Sequence, residues 1–124
     1  TTTNHWILIG ASSAFVSVAT GAFGAHALAK ILDEKSLSQW QTAAHYQMVH
    51  SLAILIFGIW TGLHPRSSEA IPGWAFTAGI VLFSGSLYAL TLSGVRVLGA
   101  ITPFGGVAFL LAWGWLAWAC LSKP

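Results

Sequence analysis

The sequence predicts an all-α integral membrane protein, a four-helix bundle with short loops. Three observations carry that prediction. First, only 6% of the 124 residues are charged and 56% are hydrophobic, whereas about a quarter of the residues in a soluble domain are charged. Second, the charges are confined to a few places. Lys30, Asp33, Glu34 and Lys35 form one cluster, Arg66 and Glu69 a second, Arg96 stands alone, and Lys123 is next to last. Third, four charge-free segments lie between them, roughly 5–29, 43–63, 71–95 and 97–122. Each has about 20 residues or more, enough to cross about 30 Å of hydrocarbon at about 1.5 Å per residue. Lipid leaves an open strand edge without hydrogen-bond partners. The alternation of barrel strands is missing.

The chain reads as one transmembrane domain, residues 1–124, with helices over about 5–29, 40–63, 72–93 and 98–121. The first segment lacks a basic n-region, and its apolar run is too long for a signal peptide, so it reads as a retained helix. Thr1 in place of methionine is read as a removed or unnumbered initiator. The linker KILDEKSLSQWQ (30–41) is amphipathic, and Ser36 or Ser38 suits the cap of the second helix. That helix is expected to begin as an interfacial turn around Trp40. HPRSSEAIPG (64–73) is the most polar loop, punctuated by Pro65, Pro72 and Gly73. Gly94 suits the residue that closes the third helix. Thr102 and Pro103 either cap a late start of the fourth or kink its first turns.

An even number of spans puts both termini on one side. Lys30, Lys35 and Arg96 in the 1–2 and 3–4 connections outnumber Arg66 and Lys123 opposite, which places the termini in the periplasm by the positive-inside rule. Trp6, Trp40, Trp60, Trp74 and Trp118 fall near span ends, where indoles favour the headgroup zone.

Small residues are expected to pack the helices. Gly10, Ala14, Ser17, Gly21 and Gly24 are spaced 4, 3, 4 and 3 along one side of the first helix. Gly79, Ser86 and Ser93 repeat by sevens in the third, where Gly85 adds another small residue. Gly99, Gly106 and the region 114–117 serve the fourth. Small side chains let backbones approach where lipid removes the hydrophobic drive between helices. Packing within the bundle is the plain reading; a stripe facing a partner protein inside the bilayer is the sharper one.

In the second helix Gln39, Ala43, Tyr46, Gln47, His50, Ile54, Phe57 and Thr61 share one face, and His45 points away. A possible polar site comprises His26, Tyr46, Gln47, His50, Ser84 and Ser86. Thr20 and Thr102 are further hydrogen-bond candidates, because an imidazole in lipid must find partners inward. Interhelical hydrogen bonding and a functional site for protons or a small molecule both account for these residues. Metal or haem ligation fits poorly. His45 and His50 are five apart rather than four, and no carboxylate lies within a span. The same lack of charged groups argues against ion-coupled transport. No nucleophile sits beside a base, so no catalytic residue is assigned. Cys120 stands alone and forms no internal disulfide. A net charge of +2 without a basic run gives no reason for a nucleic-acid partner.

GAFGAHAL (21–28), HYQMVHSLA (45–53), LFSGSLYALTLSG (82–94) and LGAITPFGG (98–106), in this order and spacing, resemble the YgdD-like small membrane proteins. These are a bacterial family of unknown function with a small eukaryotic transmembrane relative. The resemblance spans nearly the whole chain. It implies a four-helix, multi-pass protein of the bacterial inner membrane and supplies no mechanism. It draws attention to Gly21, Gly24, His26, Tyr46, Gln47, His50, Ser84, Gly85, Ser86, Tyr88, Pro103 and Gly105, and less to His45 and Val49.

The expectation is a non-catalytic structural or accessory component, without cofactor or metal. Its partners would be membrane lipids and a larger integral membrane complex. The alternative is a protein that binds or transports a small molecule or protons at His26 and His50.

Overall fold

The computed structural model describes residues 2–64 and 70–122. Among them are four helices long and apolar enough to cross a membrane. They are α1 (Thr3–Leu28), α2 (Glu34–Leu63), α3 (Ile71–Ser93) and α4 (Arg96–Leu121). Pro65, Arg66, Glu69 and Lys123 lie outside the described residues, so the 3–2 count of basic residues across the two ends is not fully placed.

The helix boundaries follow from local chemistry. α2 begins six residues before the expected start because Asp33, rather than Ser36 or Ser38, caps it. The Asp33 backbone is extended, and its carboxylate accepts from Ser36 N at 2.7 Å. That hydrogen bond holds the carboxyl below the usual aspartate value of 3.8. Pro72 sits in the first turn of α3, where its missing N–H costs nothing. Gly94 closes α3 with φ +72°, a left-handed conformation that a Cβ would strain. α4 opens with a 3-10 turn, Arg96–Ala100, and becomes α-helical at Thr102, so Thr102 and Pro103 mark a late α-helical start and not a kink.

Two stretches depart from α geometry. Ala19–Gly24 in α1 and Ile80–Gly85 in α3 are π-helical. Composition hides such turns, because they keep the apolar content of the helix around them. Each π turn lengthens the backbone hydrogen bond and re-aims the residues beside it, a device common near functional sites.

α2 and α3 occupy the middle. α1 runs along α2 and reaches α3 through Trp6 against Trp74, and through Thr20 against Tyr88. α4 runs along α3 and reaches α2 through Phe109 and Trp113 against His50. The core is built from Trp6, Ala53, Ile54, Phe57, Phe76, Ile80, Phe109 and Ala112. Trp6 and Trp40 are therefore buried within the bundle and do not serve as headgroup anchors. Trp74 and Trp118 keep more than half their surface outside.

Several small residues of α1 lie against α2. Gly10 sits under the Ser51 carbonyl and Leu55, Gly21 beside Ala44, Gly24 beneath the Trp40 indole, and Ser17 is buried. Ala14 is only partly buried. Gly79 lies against the Phe109 ring. Gly106 and Gly85 correct the expectation. Gly106 has open space where a Cβ would stand, and Gly85 approaches nothing beyond the carbonyl of Ile80 in its own helix. The close approach between α3 and α4 is made one residue earlier, by Gly105, where a Cβ would strike the Phe83 backbone.

Candidate functional site

The polar side chains inside the bundle form two sets. The first joins α1, α2 and α3 around Gln47. Tyr88 Oη donates to Gln47 Oε1 at 2.7 Å and lies 2.8 Å from Thr20 Oγ1. On the other side Gln47 Nε2 donates to the Ser13 carbonyl at 3.1 Å and approaches Ser13 Oγ at 3.3 Å. A carbonyl only accepts, so this contact fixes which end of the amide is nitrogen. Ser51 Oγ lies 2.7 Å from Ser13 Oγ and 2.5 Å from the Gln47 carbonyl. A continuous path of hydroxyls and one amide thus runs from Thr20 to Ser51.

Backbone carbonyls extend it. Ser17 of α1 donates to Ala44 O at 2.8 Å, and Ser84 of α3 donates to Ala43 O at 2.7 Å. Two neighbouring carbonyls of α2 are thereby bridged to the helices on either side. The π turn of α1 contributes as well. Thr20 O accepts the lengthened bond from Ala25 N and also Trp40 Nε1 at 2.8 Å. Trp40 in turn lies against the Tyr88 ring, with centroids 4.7 Å apart.

The second set surrounds His50, which is 5% exposed. Its ring lies parallel to Phe109, with centroids 3.5 Å apart and planes 7° from one another. Trp113 Nε1 donates to His50 Nε2 at 3.1 Å, and His50 Nδ1 lies 2.7 Å from Tyr46 O. An indole N–H can only donate, so Nε2 accepts, and the ring carries its proton on Nδ1 and gives it to Tyr46 O. Both nitrogens of the neutral ring are then satisfied. Tyr46 stacks over Phe83 at 4.5 Å and lies parallel to His50 at 5.9 Å, with 40% of its surface outside.

The predicted residues therefore separate. Tyr46, Gln47 and His50 lie on one face of α2, and Ser84 reaches that helix from α3 through Ala43 O. Ser86 belongs elsewhere: its Oγ lies 2.6 Å from Thr102 Oγ1 and ties α3 to α4. His26 does not join His50. Its side chain is exposed and lines a groove with Leu37 and Gln41 at the start of α2. His50 is nine residues further along α2 than Gln41, or about 14 Å. The antiparallel register gives the physical reason: Gly24 lies beneath Trp40 and Ser13 meets Gln47 and Ser51, so His26 is level with the start of α2 and His50 with the middle of α1. Ser13, Ser51 and Trp113 are network members that the sequence analysis did not single out, and Tyr88 entered it only through the resemblance. Ser13, Ser17 and Thr20, spaced by 4 and 3, were the available signal.

Among the described residues, no three His, Cys, Asp or Glu side chains converge as metal ligands. Trp6 Nε1 is the buried side-chain nitrogen or oxygen left without a partner among those residues. The network can hold helices in register, and its hydroxyls are already committed to one another.

The model of the family described as protein of unknown function (DUF423) matches residues 20–106. The UPF0382 membrane protein of Staphylococcus saprophyticus is 48% identical over 108 residues, covering 87% of this chain and 89% of the relative. The UPF0382 membrane protein YwdK of Bacillus subtilis is 44% identical over 109 residues, covering 87% and 89%. That of Staphylococcus epidermidis is 48% identical over 108 residues, covering 87% and 88%. These relatives are named membrane proteins, in agreement with four helices of spanning length. No solved structure matches the chain significantly.

Proposed function

The chain belongs to the DUF423 family of small multi-pass membrane proteins, and on that footing we propose that it is a non-catalytic accessory component that docks onto a larger complex within the bilayer. One observation carries the reading: the interior polar groups are committed to holding the helices, while α1 leaves an outer side open. Along that side Ala11, Ala14, Phe15 and Val18 line a shallow apolar groove of about 340 Å³. Phe15 is 77% exposed there. The short connections leave little surface outside the membrane, so recognition falls to span faces. Small residues beside large apolar ones suit a helix of another membrane protein.

The test is photocrosslinking in native membranes from Phe15 and Val18 on α1, with Leu110 and Leu111 on α4 as controls. The expected result is a discrete adduct with another integral membrane protein from α1 positions and none from α4. Adducts with lipid alone, or equal adducts from both helices, would contradict docking through α1. Ligand or proton handling at His26 and His50 has less support, because the two rings lie apart and both nitrogens of His50 are engaged.

A further inference from the structure

Where α1 meets the start of α2, the two helices leave a groove of about 640 Å³. Gly21, Ala22, Ala25 and Ala29 keep most of its α1 wall low, Phe23 rises at one side of it, and Leu37 stands on the α2 wall. Such a trough suits a hydrocarbon chain. Polar groups enter it from both helices: His26 and Gln41, both exposed.

Depth puts His26 in the headgroup zone and Gln41 at its inner edge. α2 has 30 residues and α1 has 26, lengths of about 45 and 39 Å at 1.5 Å per residue. A hydrocarbon core of about 30 Å leaves the excess in the headgroup layers. His26 lies in the last turn of α1, and Gln41 is seven residues after Glu34. Charge agrees with this. Lys30, one helical turn past His26, Lys35 and Arg96 belong to this end of the bundle. The acids there are Asp33, whose carboxylate is turned onto Ser36 N, and Glu34. The end is net basic, as a surface facing an anionic leaflet is.

We infer that this groove is a binding site for one anionic phospholipid, its acyl chain along Gly21, Ala22 and Ala25 and its phosphate held by His26 and Gln41. The site lies further along α1 than the docking groove, and the two meet at Phe23.

Native mass spectrometry of the full chain, released from nanodiscs of mixed phosphatidylglycerol and phosphatidylcholine, tests it. The wild type is expected to retain one phosphatidylglycerol under activation that strips phosphatidylcholine. H26A/Q41A should lower that preference roughly tenfold, since each tenfold corresponds to about 1.4 kcal/mol. Both positions are exposed, so folding should survive. Ala22→Trp, also at an exposed position, fills the trough without touching the polar groups and should lower retention of both lipids. Photoactivatable phosphatidylglycerol gives a second readout, with adducts expected within residues 21–41. Equal retention of the two lipids by wild type, unchanged preference in H26A/Q41A, or adducts mapping to α4 would each overturn the inference.

Discussion

The α1–α2 seam and the α3–α4 seam join helices by different means. Along α1–α2 hydrogen bonds accompany the small-residue contacts: Ser13, Ser17 and Thr20 meet Gln47, Ser51, Ala44 O and the Trp40 indole beside Gly10, Gly21 and Gly24. Along α3–α4 the contacts are mostly steric, with Gly79 under Phe109, Gly105 against the Phe83 backbone, and Phe76 edge-on to Trp113 at 4.8 Å. Ser86 and Thr102 add one hydroxyl pair there. Lipid is as apolar as a leucine side chain, so burying leucines between helices gains little. Close approach and hydrogen bonding remain as the available sources of attraction, and the molecule uses each where its neighbours allow.

That contrast is most exposed to a single methyl group. Gly105→Ala should destabilise the bundle by about 1–3 kcal/mol, because backbone rather than a flexible side chain blocks the new Cβ. Gly106→Ala should stay within about 0.5 kcal/mol. Unfolding of both variants in the same detergent checks the pair, and equal losses would show that the register of α4 is wrong.

The polar seam should respond next. Gln47→Leu strands Tyr88 Oη and the Ser13 carbonyl from their amide partner and should cost about 1–3 kcal/mol. Thermal unfolding reads the loss. If Gln47→Leu were neutral, the seam would be held by its small residues alone. Trp113→Phe keeps an aromatic ring beside Phe76 and removes the donor to His50, so its cost should be nearer 0.6 kcal/mol. A loss several times larger would mean that the His50 pair, and not the α3–α4 glycines, holds α4 in place.

The smallest effect belongs to the connection that starts the polar seam. The Asp33 carboxyl is held below its ordinary value by the Ser36 N–H. Its contribution is therefore fully present above the unfolded value near 3.8. It is lost as pH falls through the lower folded value. Amide exchange at Ser36, corrected for its intrinsic pH dependence, should lose protection on acidification below about 4. Asp33→Asn keeps a capping oxygen without the titration and should flatten that dependence. An unchanged acid response in Asp33→Asn would assign the titration elsewhere.

Much of this was legible in the sequence, and the rest was hidden for physical reasons. Charge-free runs revealed the four helices, and the wheel of α2 put Gln47, His50, Ile54, Phe57 and Thr61 on the buried face. Gly94 carried its own conformation in its identity. The early start of α2 was missed because Asp33 was read as a linker charge, although Asp is as good a cap as Ser. The π turns leave no mark in composition, and a short linker does not reveal the axial register that sets His26 beside Gln41 and not His50. Gly105 and Gly106 are identical residues. In the folded chain Gly105, and not Gly106, meets Phe83. Trp6 and Trp40 near span ends suggested headgroup anchoring, but the glycines opposite them, Gly73 and Gly24, make room for each indole inside.

The central claim is that interior polar groups are spent on one another across helices and are not held in reserve for a ligand. A double-mutant cycle of Gln47→Leu and Tyr88→Phe, measured by reversible unfolding in lipid bilayers, tests it most directly. The account expects a favourable coupling between the two side chains of about 0.6 to 1.7 kcal/mol, the range seen for hydrogen bonds between membrane helices. Strict additivity, with each substitution costing the same whether or not the other is present, would contradict it.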